Sequence, residues 1–184
     1  MDSLIIIDDV ISKGYQDFIE KMSKDFPWYF RDQITDSREG SNDMSTGLTF
    51  DIFNKNCQNI EEEYNRSPFA DGLIPLLCEA INKVDTNQDI LEIYRIRAGI
   101  FVKDQNGELN KPHIDRKDFH YTMLYYVNDS DGPTRFYDHK EGKVIKMVDP
   151  KKGRAVIMTG DTYHSSSSPR NHINRIVINY NFVV

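Results

Sequence analysis

The sequence predicts a mainly β domain with flanking α-helices, an α+β architecture. Three observations lead there. Apolar residues recur at helical spacing only in the first half of the 184-residue chain. From about residue 87 that period is lost, and β-branched and aromatic residues gather into short segments. Turn residues then break the chain about every eight to twelve positions, the rhythm of an antiparallel sandwich or barrel.

Each element has its own signal. Between residues 8 and 25, Ile11, Tyr15, Phe18 and Met22 fall on one helical face, with Asp8 or Asp9 placed to cap its start. Trp28-Tyr29-Phe30 follows, a trio that reads first as core and second as part of a lid formed with the next segment. That segment, residues 31–47, is rich in Asp, Ser, Gly and Asn and reads as a long loop, a length usually tied to function. A second helix is expected over 73–84, where Leu73, Leu77, Ala80, Ile81 and Val84 share a face. Pro75 sits in its first turn, where a missing N–H costs nothing. Strands are expected over 89–103, 119–127, 134–137, 143–148, 155–159 and 175–184. The breaks between them carry Asn106-Gly107, Asp131-Gly132-Pro133, Glu141-Gly142, Asp149-Pro150 and Lys152-Gly153. No shift in composition marks a boundary, so residues 1–184 read as one domain, with 1–87 a helical support packed on one sheet of a β core spanning 88–184.

Composition excludes several classes. With 39% apolar and 28% charged residues the chain is neither disordered nor collagenous. No apolar run approaches the roughly 20 residues that cross a bilayer, so no membrane role is expected. Met1-Asp2-Ser3 lacks the basic and long apolar segments of a secretory signal, and Cys57 and Cys78 make no disulfide framework. Both point to a reducing, cytoplasmic setting. A net charge of −6 argues against a protein built to grip phosphates, so nucleic acid is not expected as a partner.

Chemistry is suggested by His113-Ile114-Asp115. Alternate residues of an extended segment point to the same side, so this imidazole and carboxylate converge on one ion. His164, just past the strand expected at 155–159 and a Gly160-Asp161 turn, is the candidate third ligand. Two neutral imidazoles and one carboxylate on an octahedral face leave positions open, the set that suits Fe(II) in oxygenases. His120, His139 and His172 read as solvated or satisfied by local hydrogen bonds. Along the last strand one face carries Arg175, Val177, Asn179 and Asn181, the other Ile176, Ile178, Tyr180 and Phe182. A polar face opened by an arginine suits a pocket wall, where guanidinium holds a carboxylate in bidentate fashion. The alternative is an exposed edge arginine.

In that order, His113-x-Asp115, His164 and Arg175 resemble the Fe(II)- and 2-oxoglutarate-dependent oxygenase superfamily. The resemblance is closest to its prolyl-4-hydroxylase-like branch, and to the short versions found in bacteriophages. Residues 121–128 are similar to that branch's strand ending in Tyr-Leu-Asn, and Asp131-Gly132-Pro133-Thr134-Arg135-Phe136 to its Gly-Gly-x-Thr-x-Phe turn. Pro150-Lys151-Lys152-Gly153 resembles its Pro-x-x-Gly lead-in to the strand before the distal histidine. The match spans about residues 93–182, with Asp131 in place of the first Gly and Val177 where Ser or Thr is frequent.

The resemblance implies a double-stranded β-helix, or jelly roll, with catalytic Fe(II) on His113, Asp115 and His164 and the far carboxylate of 2-oxoglutarate on Arg175. Tyr126 matches a tyrosine that supports this carboxylate, and Thr122 and Leu124 share its strand face and would line the same pocket. Tyr94 is a candidate further pocket hydroxyl, though a core tyrosine is the commoner role. The implied reaction consumes O2 and 2-oxoglutarate, with ascorbate as an optional reductant. It hydroxylates a C–H of a peptidyl proline, an amino acid or another small substrate, and releases succinate and CO2. A phage-encoded version would work in the host cytoplasm. Two other readings compete. A nucleic-acid demethylase of the same superfamily needs a basic groove interleaved with stacking aromatics, and Arg116-Lys117 and Lys151-Lys152-Arg154 are not interleaved. A non-catalytic β-sandwich binding module would ignore 2-oxoglutarate and be indifferent to Arg175→Ala.

Overall fold

The computed structural model describes residues 4–31, 47–55, 65–105 and 110–184. The interior of the expected loop 31–47, the Asn106-Gly107 turn and Cys57 lie outside the described residues.

Alternation of apolar and polar residues gives two antiparallel sheets. The major sheet runs in the order β1 (Leu4–Ile7), β9 (Ala155–Thr159), β6 (Tyr121–Tyr126), β11 (Asn174–Val183), β5 (Glu92–Val102), β3 (Gly47–Asn54) and β2 (Tyr29–Arg31). The short β4 (Asn65–Arg66) pairs with β3. The minor sheet is β10 (Tyr163–Ser166), β7 (Thr134–Tyr137) and β8 (Val144–Val148). Two helices, α1 (Lys13–Ser23) and α2 (Ile74–Val84), cover one face of the major sheet. There Ile178, Tyr180 and Phe182 of β11 join Ile96, Met123, Ile19, Leu77 and Ile81 in one buried cluster. Each such side chain contributes about 1.5–3 kcal/mol on burial. On the opposite face Leu124, Tyr126, Val156, Met158 and Val177 meet Phe136 and Val148 of the minor sheet. The fold is the expected jelly roll with helices outside it. Among the described residues no helix is long and apolar enough to cross a membrane.

Several details differ from the sequence reading. The helix α1 begins at Lys13, capped by the Ser12 hydroxyl, which accepts from the Tyr15 N–H at 3.4 Å. Neither Asp8 nor Asp9 caps it: Asp8 takes Arg154 and Lys151, and Asp9 accepts from the Gln16 amide at 3.1 Å. The later start turns Ile19 inward and leaves Phe18 52% exposed. The stretch expected as helical support also supplies β1 to β4 to the major sheet. Of the aromatic trio only Trp28 packs on the core, its Nε1–H donating to the Ser23 carbonyl at 3.1 Å. Tyr29 and Phe30 lie exposed on the edge strand β2.

The Pro-x-x-Gly turn fastens α1 to β9. Lys152 pairs with Asp17 and Glu20, Arg154 Nε lies 2.6 Å from Asp8, and the Val10 N–H donates to the Gly153 carbonyl at 3.0 Å. Gly153 has φ +80, and a Cβ there would overlap the Gln16 amide. Gly153→Ala is expected to destabilise the fold by about 1–3 kcal/mol, from strain at positive φ and overpacking. Gly14→Ala, with nothing within 4 Å of its Cβ, should stabilise α1 by roughly 0.5–1 kcal/mol. Urea unfolding of the two variants checks both signs.

Candidate active site

The two candidate histidines are joined through their backbones. The N–H of each donates to the carbonyl of the other at 3.0 Å, an antiparallel bridge between residue 113 and β10. Asn110 extends the pairing, its N–H donating to the Ser166 carbonyl at 3.0 Å and its Nδ2 to Ser166 Oγ at 2.7 Å. The His113 segment therefore runs antiparallel beside β10, joined to it at an isolated bridge. His164 lies past β9 and the turn that follows it, within β10 and opposite Phe136.

The side chains then converge. His113 Nδ1 is 3.2 Å from the Lys111 carbonyl and His164 Nδ1 is 3.0 Å from that of Thr162. A carbonyl only accepts, so each Nδ1 carries the proton and each Nε2 presents a lone pair. These Nε2 atoms lie 3.9 and 4.0 Å from Asp115 Oδ1. All three ligand atoms fall within 4.8 Å of one another. Asp115 is oriented by its other oxygen, which accepts from Thr122 Oγ1 at 3.2 Å, Asn179 Nδ2 at 3.0 Å and Asn181 Nδ2 at 2.8 Å. Burial favours the neutral acid, but facing His164, Arg95, His113 and the Asn179 amide outweigh it and hold the carboxyl well below the usual range. Burial, with His113 beside it, pushes His164 down to about 4, so its imidazole is neutral near pH 7. The donors fit a divalent ion of the 2-His-1-carboxylate type.

Beside this cluster lies Arg175, fully buried on the pocket face of β11. Its Nη2 donates to Thr134 Oγ1 at 2.8 Å, and the Tyr126 hydroxyl donates to the same oxygen at 2.7 Å. The guanidinium carbon sits 5.1 Å from the Phe101 ring centre and 5.5 Å from that of Tyr126. Arg175 Nε and Nη1 have no hydrogen-bond partner. A buried cation without an anion costs several kcal/mol, so these two nitrogens are free to take an anionic group. Leu124 belongs to the same lining. Thr122 is spent on Asp115 instead, and its hydroxyl also accepts from Asn181 at 3.0 Å. Tyr94 stands apart, in a bulge at the far end of β5 from Phe101, its ring 4.5 Å from the Arg116 guanidinium carbon.

Sequence reasoning missed Asn179, Asn181 and Thr134 as site residues. Their signal was present: both asparagines alternate with the core residues of the last strand, and Thr134 is the threonine of the matched turn. The departure at Asp131 also has an explanation. Its carboxylate accepts from the backbone N–H groups of Arg170, Asn171 and His172 at 3.1, 2.9 and 3.3 Å. It thereby clamps the loop that leads to Arg175. Gly132 next to it is forced, since a Cβ would overlap the Ser167 carbonyl. The remaining histidines stay outside the cluster. His120 is buried, with Nδ1 2.7 Å from the Asp118 carbonyl; His139 lies against Asp138, and His172 against Asp131.

The family model described as the 2OG-Fe(II) oxygenase superfamily matches residues 100–183. No curated protein matches the chain by sequence. Solved structures share its fold at low identity. One is a Burkholderia pseudomallei oxidoreductase of the 2OG-Fe(II) oxygenase family, 11% identical with TM-score 0.72, covering 98% of this chain and 85% of its own. Another is a Trichoplax adhaerens prolyl hydroxylase in complex with a hypoxia inducible factor peptide fragment, 15% identical with TM-score 0.67, covering 99% and 84%. A third is the viral collagen prolyl hydroxylase of Paramecium Bursaria Chlorella virus-1 in its 2OG complex, 14% identical with TM-score 0.61, covering 100% and 97%.

The carboxylate clamp has a measurable consequence. Asn181→Ala is expected to weaken Co(II) or Zn(II) binding about 10–100-fold, as loss of a ligand's supporting contact does. His113→Ala should abolish it, and chelator competition at fixed pH reads both.

Proposed function

We propose that this chain, whose residues 100–183 match the 2OG-Fe(II) oxygenase superfamily model, forms over residues 1–184 one catalytic unit that hydroxylates a C–H of a peptidyl proline, an amino acid or another small substrate. The observation that carries the reading is the buried Arg175, with two unpartnered nitrogens, beside a preformed His113, Asp115 and His164 cluster.

The residues take distinct roles. His113, Asp115 and His164 hold Fe(II), with the Nδ1 contacts and the Asp115 clamp fixing the three donors before the ion arrives. Arg175 takes the far carboxylate of 2-oxoglutarate, and Thr134 and Tyr126 keep the guanidinium in place. Leu124, Val177 and Phe136 form an apolar lining that excludes water from the co-substrate. Held by these residues, Fe(II) and 2-oxoglutarate would supply the O2-activating chemistry, in which one oxygen atom enters the substrate C–H and the other the succinate left when 2-oxoglutarate loses CO2. A net charge of −6 favours a peptide or small molecule over nucleic acid.

The test is an anaerobic titration of the apo protein with Fe(II) and 2-oxoglutarate, followed in the visible region. A charge-transfer band is expected in the wild type and none in His113→Ala. Arg175→Leu should weaken 2-oxoglutarate roughly hundredfold, the loss that follows when one partner of a buried charge pair is removed. A folded wild-type protein that shows no band and binds no 2-oxoglutarate would overturn the proposal.

A further inference from the structure

The pocket face of the major sheet has two unlike halves. Over β6 and β11 it is buried and holds the lining around Arg175. Along β5 and β3 it holds half-buried charged side chains: Arg97 lies directly across from Asp51, with Arg95 one alternate position nearer the metal ligands. Arg97 is already satisfied, its Nε and Nη2 donating to the two Asp51 oxygens at 2.5 and 3.1 Å.

Arg95 is not. Its side chain is only 19% exposed, its Nε is buried without a hydrogen-bond partner, and its nearest carboxylate oxygen is Asp115 Oδ1 at 3.5 Å. That separation exceeds an ordinary N–H···O bond, and the oxygen in question is the one that faces the histidines. Burial works against the charge on Arg95, and Arg97 and Arg116 add to the strain while Asp115 and Asp51 relieve it. A metal ion held by His113, Asp115 and His164 would compete with Arg95 for that same Asp115 oxygen. Asp51 remains engaged by Arg97. A cation so placed needs an acceptor from outside the protein.

We propose, resting on the oxygenase reading, that Arg95 is the anion-recognising residue of the substrate site, so that the substrate is a small molecule whose carboxylate or phosphate group binds over β5 beside the metal ligands. One half-buried guanidinium with an unpartnered Nε, next to an already paired Arg97, suits a single compact oxyanion. A polyanion would require a continuous basic track, at odds with the net charge of −6.

The protein saturated with redox-inert Zn(II) and 2-oxoglutarate provides the test. Arginine Nε–H signals are followed by 15N NMR during titration with sodium acetate, inorganic phosphate, and acetamide as the uncharged control. The Arg95 signal is expected to move saturably with acetate or phosphate and not with acetamide. A response to acetate identifies a carboxylate substrate, and one to phosphate alone a phosphorylated substrate. In Arg95→Gln the saturable response should vanish from Arg97 too, with 2-oxoglutarate affinity kept within about twofold. No saturable shift with either anion, while 2-oxoglutarate binds normally, overturns the anion site. A loss of about tenfold or more in 2-oxoglutarate affinity in Arg95→Gln also overturns it, by assigning Arg95 to the co-substrate. Failure of the wild type to bind 2-oxoglutarate would instead fell the oxygenase reading.

Discussion

Everything at this site depends on holding one buried carboxylate in a fixed direction. Asp115 lies where the two sheets meet, and a carboxylate there is costly unless its lone pairs are met. Three donors, from Thr122, Asn179 and Asn181, all reach the same oxygen. That concentration leaves the second oxygen turned to both imidazoles. Three bonds to one oxygen do more than stabilise: they choose which lone pairs remain for an ion. The backbone bridge between His113 and β10 completes the arrangement by tying the loop that carries Asp115 to the strand that carries His164.

Two of those donors belong to the central strand of the major sheet, and this couples the site to the core. Along β11 the side chains alternate between the helix-covered cluster and the pocket. Ile178, Tyr180 and Phe182 are locked by packing under α1 and α2, so Asn179 and Asn181 between them have no freedom to slip. A shift of one residue in register would send asparagines into the apolar cluster and phenylalanine to the metal ligands. The helices thus contribute to the metal site without touching it. Gly153 serves the same packing, since it seats α1 against the lead-in to β9.

Much of this was legible in the sequence, for a physical reason. Where one face of a strand must be apolar and the other must carry ligands, period-two alternation is enforced. The last strand, with Arg175 and both asparagines on one side, therefore announced a pocket. The HxD triplet and its distal histidine were legible for a similar reason, since metal chemistry limits the residue types. The first half of the chain was less readable. Residues 47–54 alternate as β3, yet they follow a polar stretch and precede a helix, and nothing local says that they pair with β5. The stretch Leu4–Ile7 is four residues long and gains its strand character only from β9. The strand β10 that carries His164 was not foreseen, because it is short and its pairing with residue 113 is entirely non-local. Asp131 read as a flaw in a glycine turn. The reason for it lies some forty residues away, in the loop of Arg170 to His172 that it clamps.

The division of the pocket floor carries the last step. Over β6 and β11, Tyr126 and Arg175 with Thr134 of β7 enclose the place proposed for the co-substrate carboxylate, closed off from water. Over β5 and β3 stand Arg95, Arg97 and Asp51, none of which the resembled pattern requires. Chemistry common to a superfamily must be held by shared residues, because the same co-substrate has to be placed against the same ion each time. Choice of substrate is free to vary, and it varies on the strands that the co-substrate leaves uncovered. An arginine only 19% exposed on that half is expensive, and its one carboxylate contact, Asp115 Oδ1 at 3.5 Å, is too long to satisfy it. Such a cost persists in a fold when something that arrives from outside relieves it.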